Sequence, residues 1–200
     1  MWNPEQYLKF EHEREKPFYD LLKMVIPKEN MHILDLGCGT GALTYKLHES
    51  LKAESTLGID LSQEMLKKAP THILNLNFQR EDISSFSFNN RYDLIFSNAA
   101  LHWVSRHDQL FPRLFKALKD DGQIAIQVPD VFAFATHTMA QEVASATPFK
   151  EALSKADYPA VMTIEDYAAF FDQYRQKMVT HFGEGPLFIP FKRILMWGRL

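Results

Sequence analysis

Apolar positions recur along this chain at two spacings, one helical and one extended, and the two take turns. Phe18, Leu21, Leu22 and Val25 fall at i, i+3, i+4 and i+7, which predicts a helical face within residues 5–26, in one or two pieces broken near Pro17 and ended by Pro27 and Asn30. Short apolar runs then predict strands over 32–36, 56–60, 75–79, 92–96 and 123–128; the fourth is apolar enough to be buried on both faces of a parallel sheet. Helical spacing intervenes each time. Leu43, Leu47 and Leu51 form one stripe, and Ser62 is an N-cap for a short helix carrying Met65, Leu66 and Ala69. Residues 84–91 read as polar loop.

Asp108 is expected to cap a helix with the face Leu110, Phe111, Leu114, Phe115 and Leu118, with Pro112 in its first turn and Asp120-Asp121-Gly122 stopping it. A second helical layer is expected over 131–146. Thr163 with Asp166 forms a capping box. Behind it Tyr167, Phe170, Phe171, Tyr174 and Met178 make a stripe read as core. Residues 187–191 and 194–197 read as strands around Lys192-Arg193, with Pro190 at an edge or in the turn. Strands alternating with helices predict an α/β fold: a doubly wound, mostly parallel sheet of seven strands, helices on both faces, and a C-terminal antiparallel strand pair. At 200 residues, 46% hydrophobic and 24% charged, the chain suits a single domain over 1–200 with a sizeable core, residues 1–26 being an N-terminal helical cap.

In such sheets, ligands bind at the carboxyl ends of the strands. Asp35, Asp60, Asp82 and Asn98 all fall at predicted carboxyl ends, on four successive strands. The first strand runs straight into a turn with Gly37, Cys38, Gly39 and Gly41. Gly37-x-Gly39-x-x-Ala42, with Asp60 about 20 positions on, also fits a dinucleotide fingerprint. A pyrophosphate would be repelled by Asp35, whereas S-adenosylmethionine (SAM) has no phosphate and carries an ammonium and a sulfonium, both of which suit a carboxylate. Asp60 is placed for the ribose hydroxyls, or else is a charge on a helix N-terminus. Asp82 and Ile83 are placed to bracket adenine, or Asp82 is a solvated loop acid. Asn98 is placed for the methionine end.

His102 and Trp103 follow the fourth strand, at the expected pocket mouth, where His102 orients substrate, acts as a base, or is simply half-buried. His102 and His107 lack a carboxylate–cysteine cluster, so no metal site is expected. Cys38, the single cysteine, precludes an internal disulfide and reads as a small turn residue. The net charge of -3 gives no polybasic signature, so nucleic acid is not an expected partner. No leader-like N-terminus and no membrane-length apolar run is seen, which makes a cytoplasmic location the default expectation. The oligomeric state stays open.

Several stretches together resemble the class I SAM-dependent methyltransferases, with the branch that methylates trans-aconitate as the nearer match. They are Trp2-Asn3-Pro4, Asp35-Leu36-Gly37-Cys38-Gly39, Gly58-Ile59-Asp60, Asp82-Ile83, Asp93 through Asn98, Leu101 with Trp103, Leu110-Phe111-Pro112 and Gln127-Val128-Pro129-Asp130. The resemblance implies SAM as cofactor, held by Asp35, Gly37, Cys38, Gly39, Gly41, Asp60, Leu61, Asp82, Ile83 and Asn98. It implies a small carboxylate acceptor, met by Arg14 and Trp103, and methyl transfer to a carboxylate oxygen. Such a carboxylate is ionised at neutral pH and needs no general base.

His102 stands where the family usually has glutamine. Residues 131–181 would be a shortened helical lid, the shortfall lying between about 147 and 165. Another acceptor, such as a carrier-bound malonyl group, and a SAM-binding paralogue without turnover are the alternatives. A nicotinamide oxidoreductase is disfavoured by Asp35.

Overall fold

Among the described residues, five parallel strands and one antiparallel strand form a single sheet, because each apolar run is short, continuous and closed by a turn residue. The computed structural model describes residues 11–88, 91–130, 135–147, 149–150, 164–183 and 193–200. Elements follow in the order α1 (Glu11–Leu22), β1 (His32–Leu36), α2 (Ala42–Leu51), β2 (Ser55–Asp60), α3 (Gln63–Leu66), β3 (Leu76–Arg80), β4 (Tyr92–Asn98), a 3-10 turn (Leu101–Trp103), α4 (His107–Ala117), β5 (Leu118–Pro129), α5 (Ala135–Ser145), α6 (Ile164–Phe182) and β6 (Arg193–Arg199). The strand order is β3-β2-β1-β4-β5-β6. All neighbours are parallel except β5 and β6. Six strands are therefore described against seven expected; the expected strand 187–191 lies outside the described residues.

The chain divides into two compact units, residues 1–129 with 193–200, and residues 130–192. In the first, strand alternation sends side chains to two apolar layers. Ile33, Leu94, Phe96 and Ala125 pack with Phe18, Leu21 and Val25 of the α1 segment and Leu47 and Leu51 of α2. Leu34, Leu36, Ile59, Ile95, Ile124 and Ile126 pack with Leu110 and Leu114 of α4 on the other face. Each fully buried side chain of this size contributes roughly 1.5–3 kcal/mol. In the second unit, Phe170 meets Phe149 edge-on at 5.5 Å and stacks on Tyr174 at 6.5 Å. Phe171, expected in the core with them, is 58% exposed.

Local differences have local causes. Pro17 sits inside α1 without breaking it. It forfeits one main-chain hydrogen bond, a loss set against the complete burial of Leu21 and near-complete burial of Phe18. Arg106, in the left-handed region at φ 58, holds the cap position of α4; Asp108 lies in its first turn, and Pro112 is therefore interior to the helix. Ser62 does cap α3, accepting from the Met65 N–H at 3.3 Å, but Met65 is 44% exposed and the helix buries no residue. β5 begins before Asp120-Asp121-Gly122, which form a bulge opposite Tyr92–Leu94 instead of a plain helix stop. Thr163 of the expected capping box and the early part of the 1–26 cap lie outside the described residues.

Candidate active site

The glycine turn after β1 is built by hydrogen bonds that point inward. The Gly37 and Cys38 N–H groups both donate to the Ile59 carbonyl, at 2.8 and 3.0 Å. The Gly39 N–H donates to Asp60 Oδ2 at 2.8 Å, and the Gly41 N–H to the Cys38 carbonyl at 2.9 Å. Four amides that cradle phosphate in other glycine loops are thus already satisfied, one of them by a carboxylate. The turn offers no cluster of these donors to an anion, which separates it physically from a pyrophosphate site.

All three glycines have positive φ, between 57° and 76°. Only Gly39 faces open space. A Cβ on Gly37 would lie 2.1 Å from Ala100 Cβ, and one on Gly41 would meet the Phe78 ring at 2.6 Å. Gly37 and Gly41 are thus required for packing, while Gly39 leaves a bare backbone surface for close approach of a ligand. Cys38 is buried, and burial pushes its thiol well above the ordinary range. It behaves as a small packed residue, as its place in the turn predicted.

Parallel pairing brings the expected residues to one end of the sheet. Asp35 is adjacent in register to Gly58 and Phe96, Asp60 closes β2, and Asn98 closes β4. Asp35 is 6% exposed and accepts a 2.6 Å hydrogen bond from Thr44 Oγ1. Burial pushes its carboxyl up to about 6, opposed by the Thr44 hydroxyl and reinforced by the charge of Asp60. Thr44 carries no motif signal; it is the third residue of α2, and only the turn geometry aims it at Asp35. Asp60 uses Oδ1 to accept from the Ser62 N–H and Oδ2 to accept from Gly39, which leaves lone pairs on both oxygens.

Leu61, next to it, is 61% exposed. Asp82 is exposed, two residues beyond β3. Its Oδ1 accepts from the hydroxyl and N–H of Ser84, which together hold its carboxyl below the usual range. Ile83 is built into the apolar layer on the α4 side and keeps only 8% exposure. His102 sits in the 3-10 turn with its ring 4.7 Å from that of Trp103. Burial lowers the His102 pKa, so the ring is neutral at pH 7. Trp103 is 81% exposed. The Arg14 side chain lies outside the described residues.

Sequence reasoning passed over Gln127 and Arg193. Gln127 is 2% exposed and registered opposite Asn98, and Arg193 opens β6 and reaches Asp20 Oδ2 with Nη2 at 2.9 Å. The signal for Gln127 was the Gln127-Val128-Pro129-Asp130 string; that for Arg193 was a cation at a strand start, too common to single out. A separate groove of ≈ 440 Å³ opens at the amino end of the strands, between His32, Thr56, Gln79 and Lys119. It is at the wrong end of a parallel sheet for the family of sites argued above. Among the described residues no three His, Cys, Asp or Glu side chains group to hold a metal, and no helix is long and apolar enough to cross a membrane.

The comparisons with known proteins agree with this geometry. A family model described as a methyltransferase domain matches residues 27–174. A trans-aconitate 2-methyltransferase of Delftia acidovorans is 41% identical over 151 residues, 74% of this chain and 56% of the relative. One from Variovorax paradoxus is 39% identical over 157 residues, 78% of this chain and 61% of the relative. The chain thus spans less than two thirds of the length of these relatives. A solved S-adenosylmethionine-dependent methyltransferase from Mesorhizobium loti superposes with a TM-score of 0.52 at 30% identity, covering 58% of this chain and 54% of that one. With its inward-bonded glycine turn, its carboxylates at one end of a 3-2-1-4-5 parallel sheet and these matches, the chain belongs to the SAM-dependent methyltransferase family.

Proposed function

We propose that the protein transfers a methyl group from SAM to a carboxylate oxygen of a small organic acid of the trans-aconitate type, giving a monomethyl ester. One observation carries the cofactor half: the glycine turn consumes its own amides, leaves bare backbone at Gly39, and sets Asp35 and Asp60 beside it. The acceptor half is supported by the names of the relatives. Bound SAM supplies a methyl group on a positively charged sulfur. Asp35 and Asp60 give this end of the sheet negative potential suited to that cation and to the adjoining ammonium. Asp60 accepts from the ribose hydroxyls with its spare lone pairs, and Leu61 offers an exposed apolar surface to the adenine. Asp82 accepts at the adenine edge with its second oxygen, beside Ile83. Asn98 serves the methionine end.

The acceptor carboxylate is its own nucleophile, so the protein has no proton to remove. Its contribution is orientation, proximity and exclusion of water. Neutral His102 and Trp103 line the acceptor side in this reading, and the resemblance offers Arg14 as a further cation for the acid. His102 orients the acid, and glutamine at that position preserves the function. Purified protein given methyl-labelled SAM and trans-aconitate is expected to release labelled ester and S-adenosylhomocysteine (SAH). Saturable SAH binding with no ester from trans-aconitate or related acids would refute the acceptor assignment and leave a SAM-binding protein for another acceptor or without turnover.

A further inference from the structure

Four buried side-chain atoms among the described residues have no hydrogen-bond partner: Asn98 Oδ1, His102 Nδ1, Gln127 Oε1 and Arg193 Nη1. All four belong to the same end of the sheet. Asn98 closes β4, Gln127 is its registered neighbour on β5, and Arg193 is registered with Pro129, two residues beyond Gln127. His102 follows β4 by one turn. Strand alternation puts Asn98 on the face of Leu94 and Phe96, and Gln127 on the face of Ala125, which is the face covered by α1 and α2. Arg193 points to the same side, since Asp20 of α1 holds its Nη2. Three adjacent strands therefore carry a row of unpaired polar groups on one face.

Native interiors leave few such groups, and a row of them at a ligand-binding edge implies a polar ligand. The charge of the row is also unspent. Asp20 is shared by Arg193, by Lys16 at 2.7 Å and by Lys23 at 3.8 Å, so one carboxylate faces three cations. Nη1 is a fixed, desolvated donor that suits a carboxylate oxygen. The Gln127 amide can accept from, or donate to, the rest of the same ligand, while Asn98, at the far end of the row, is left to the methionine end of SAM.

We propose that Arg193, flanked by Gln127, is the carboxylate-recognition subsite for the acceptor acid, a role resting on the acid-methylating reading above. An acceptor with two or more carboxyl groups is anchored by one at Arg193 and presents another to the methyl group. Asp20 positions the guanidinium by holding Nη2. Since SAM has a carboxylate of its own, the test must separate the two sources.

Calorimetric titration of trans-aconitate and a panel of di- and tricarboxylates into SAH-loaded wild type, Arg193→Gln and Arg193→Lys does so, with SAH affinity measured on each. Acid binding is expected to weaken about 30-fold in Arg193→Gln, the loss of one charge-assisted hydrogen bond, and to recover in part in Arg193→Lys, while SAH affinity holds within about twofold. Gln127→Glu places a carboxylate beside Nη1 and is expected to block the acid while leaving SAH bound, which covers the case of a poorly folded Arg193→Gln. Unchanged acid affinity in Arg193→Gln overturns the subsite alone, and an equal loss of SAH affinity assigns Arg193 to the cofactor and overturns it too. Wild type binding a panel acid other than trans-aconitate overturns only the choice of substrate; binding none overturns both readings.

Discussion

A buried carboxyl held at about 6 makes Asp35 the residue whose protonation the fold controls most directly. Folded Asp35 binds its proton more tightly than the unfolded chain, whose ordinary value is 3.8. Its contribution therefore grows as pH falls from about 6 toward 4 and is lost as pH rises through that range, by roughly 3 kcal/mol over the full span. Asp35→Asn is expected to abolish this component, read as the difference in urea midpoint between pH 4.5 and 7. The ammonium that SAM and SAH share has the opposite demand, because it favours ionised Asp35. SAH affinity is expected to rise with pH by up to about tenfold per unit below 6 and then level off, and to lose this slope in Asp35→Asn. A flat profile in wild type would remove Asp35 from the cofactor's surroundings.

The turn glycines separate packing from binding at the same scale. Gly37→Ala forces a methyl into Ala100 in a left-handed backbone and is expected to cost about 2–4 kcal/mol in denaturant unfolding. Gly39→Ala meets nothing within the protein and is expected to cost only about 1–2 kcal/mol, yet to weaken SAH binding more than tenfold. Equal effects of the two variants on SAH affinity, after allowing for stability, would contradict the division.

Among the elements, one side chain does much of the joining. Gln123 is wholly buried at the start of the regular part of β5. Its Oε1 accepts from the Ile26 N–H at 2.8 Å and from Trp197 Nε1 at 3.2 Å, and its Nε2 donates to the Ile26 carbonyl at 2.7 Å. One amide thus ties the segment after α1 to β5 and β6. Gln123→Leu keeps the volume but orphans both main-chain groups of Ile26. A loss of about 2–4 kcal/mol in urea unfolding is expected. The bulge before it has the same logic: a Cβ on Gly122 would lie 2.8 Å from the Lys119 carbonyl and 3.0 Å from that of Tyr92, so only glycine lets the strand rejoin β4 after Asp121.

Helix caps show where element-level reading falls short. Ser62 was legible because a serine hydroxyl caps through a local bond to its own helix. Arg106 was not, because a left-handed arginine at a helix start is imposed by the path from the 3-10 turn, where His107 Nε2 lies 2.8 Å from the Leu101 carbonyl. Pro112 then follows as an interior residue of α4 rather than a first-turn one.

For the whole molecule, ligand binding and stability are linked by mass action. If SAH binds the folded chain only, a concentration a hundred times its Kd adds about 2.7 kcal/mol. For a chain of this size that corresponds to a rise in melting temperature of roughly 5–10 °C. Saturating NAD is expected to produce no shift, since the glycine turn has already spent its amides on Ile59, Asp60 and Cys38. A shift with NAD and none with SAH would overturn the cofactor assignment. Unfolding is to be followed by two probes, because the chain forms two compact units and need not melt in one step.

The amino-acid sequence by itself determined what depends on near neighbours in the chain. Runs such as Tyr92–Phe96 became strands because continuous apolar residues suit a sheet buried on both faces. The glycine turn was recognisable because positive φ at three close positions demands that residue, and the carboxyl-end residues followed from counting to the end of each strand. What only the tertiary structure decided depends on which strands become neighbours. Thr44 meets Asp35, Phe78 closes on Gly41, and Gln127 comes level with Asn98 through pairings between segments far apart in the chain. The unspent charge of Arg193 is of the same kind. It arises because an antiparallel final strand brings residue 193 beside the carboxyl end of β5 and within reach of Asp20, a juxtaposition no local pattern encodes.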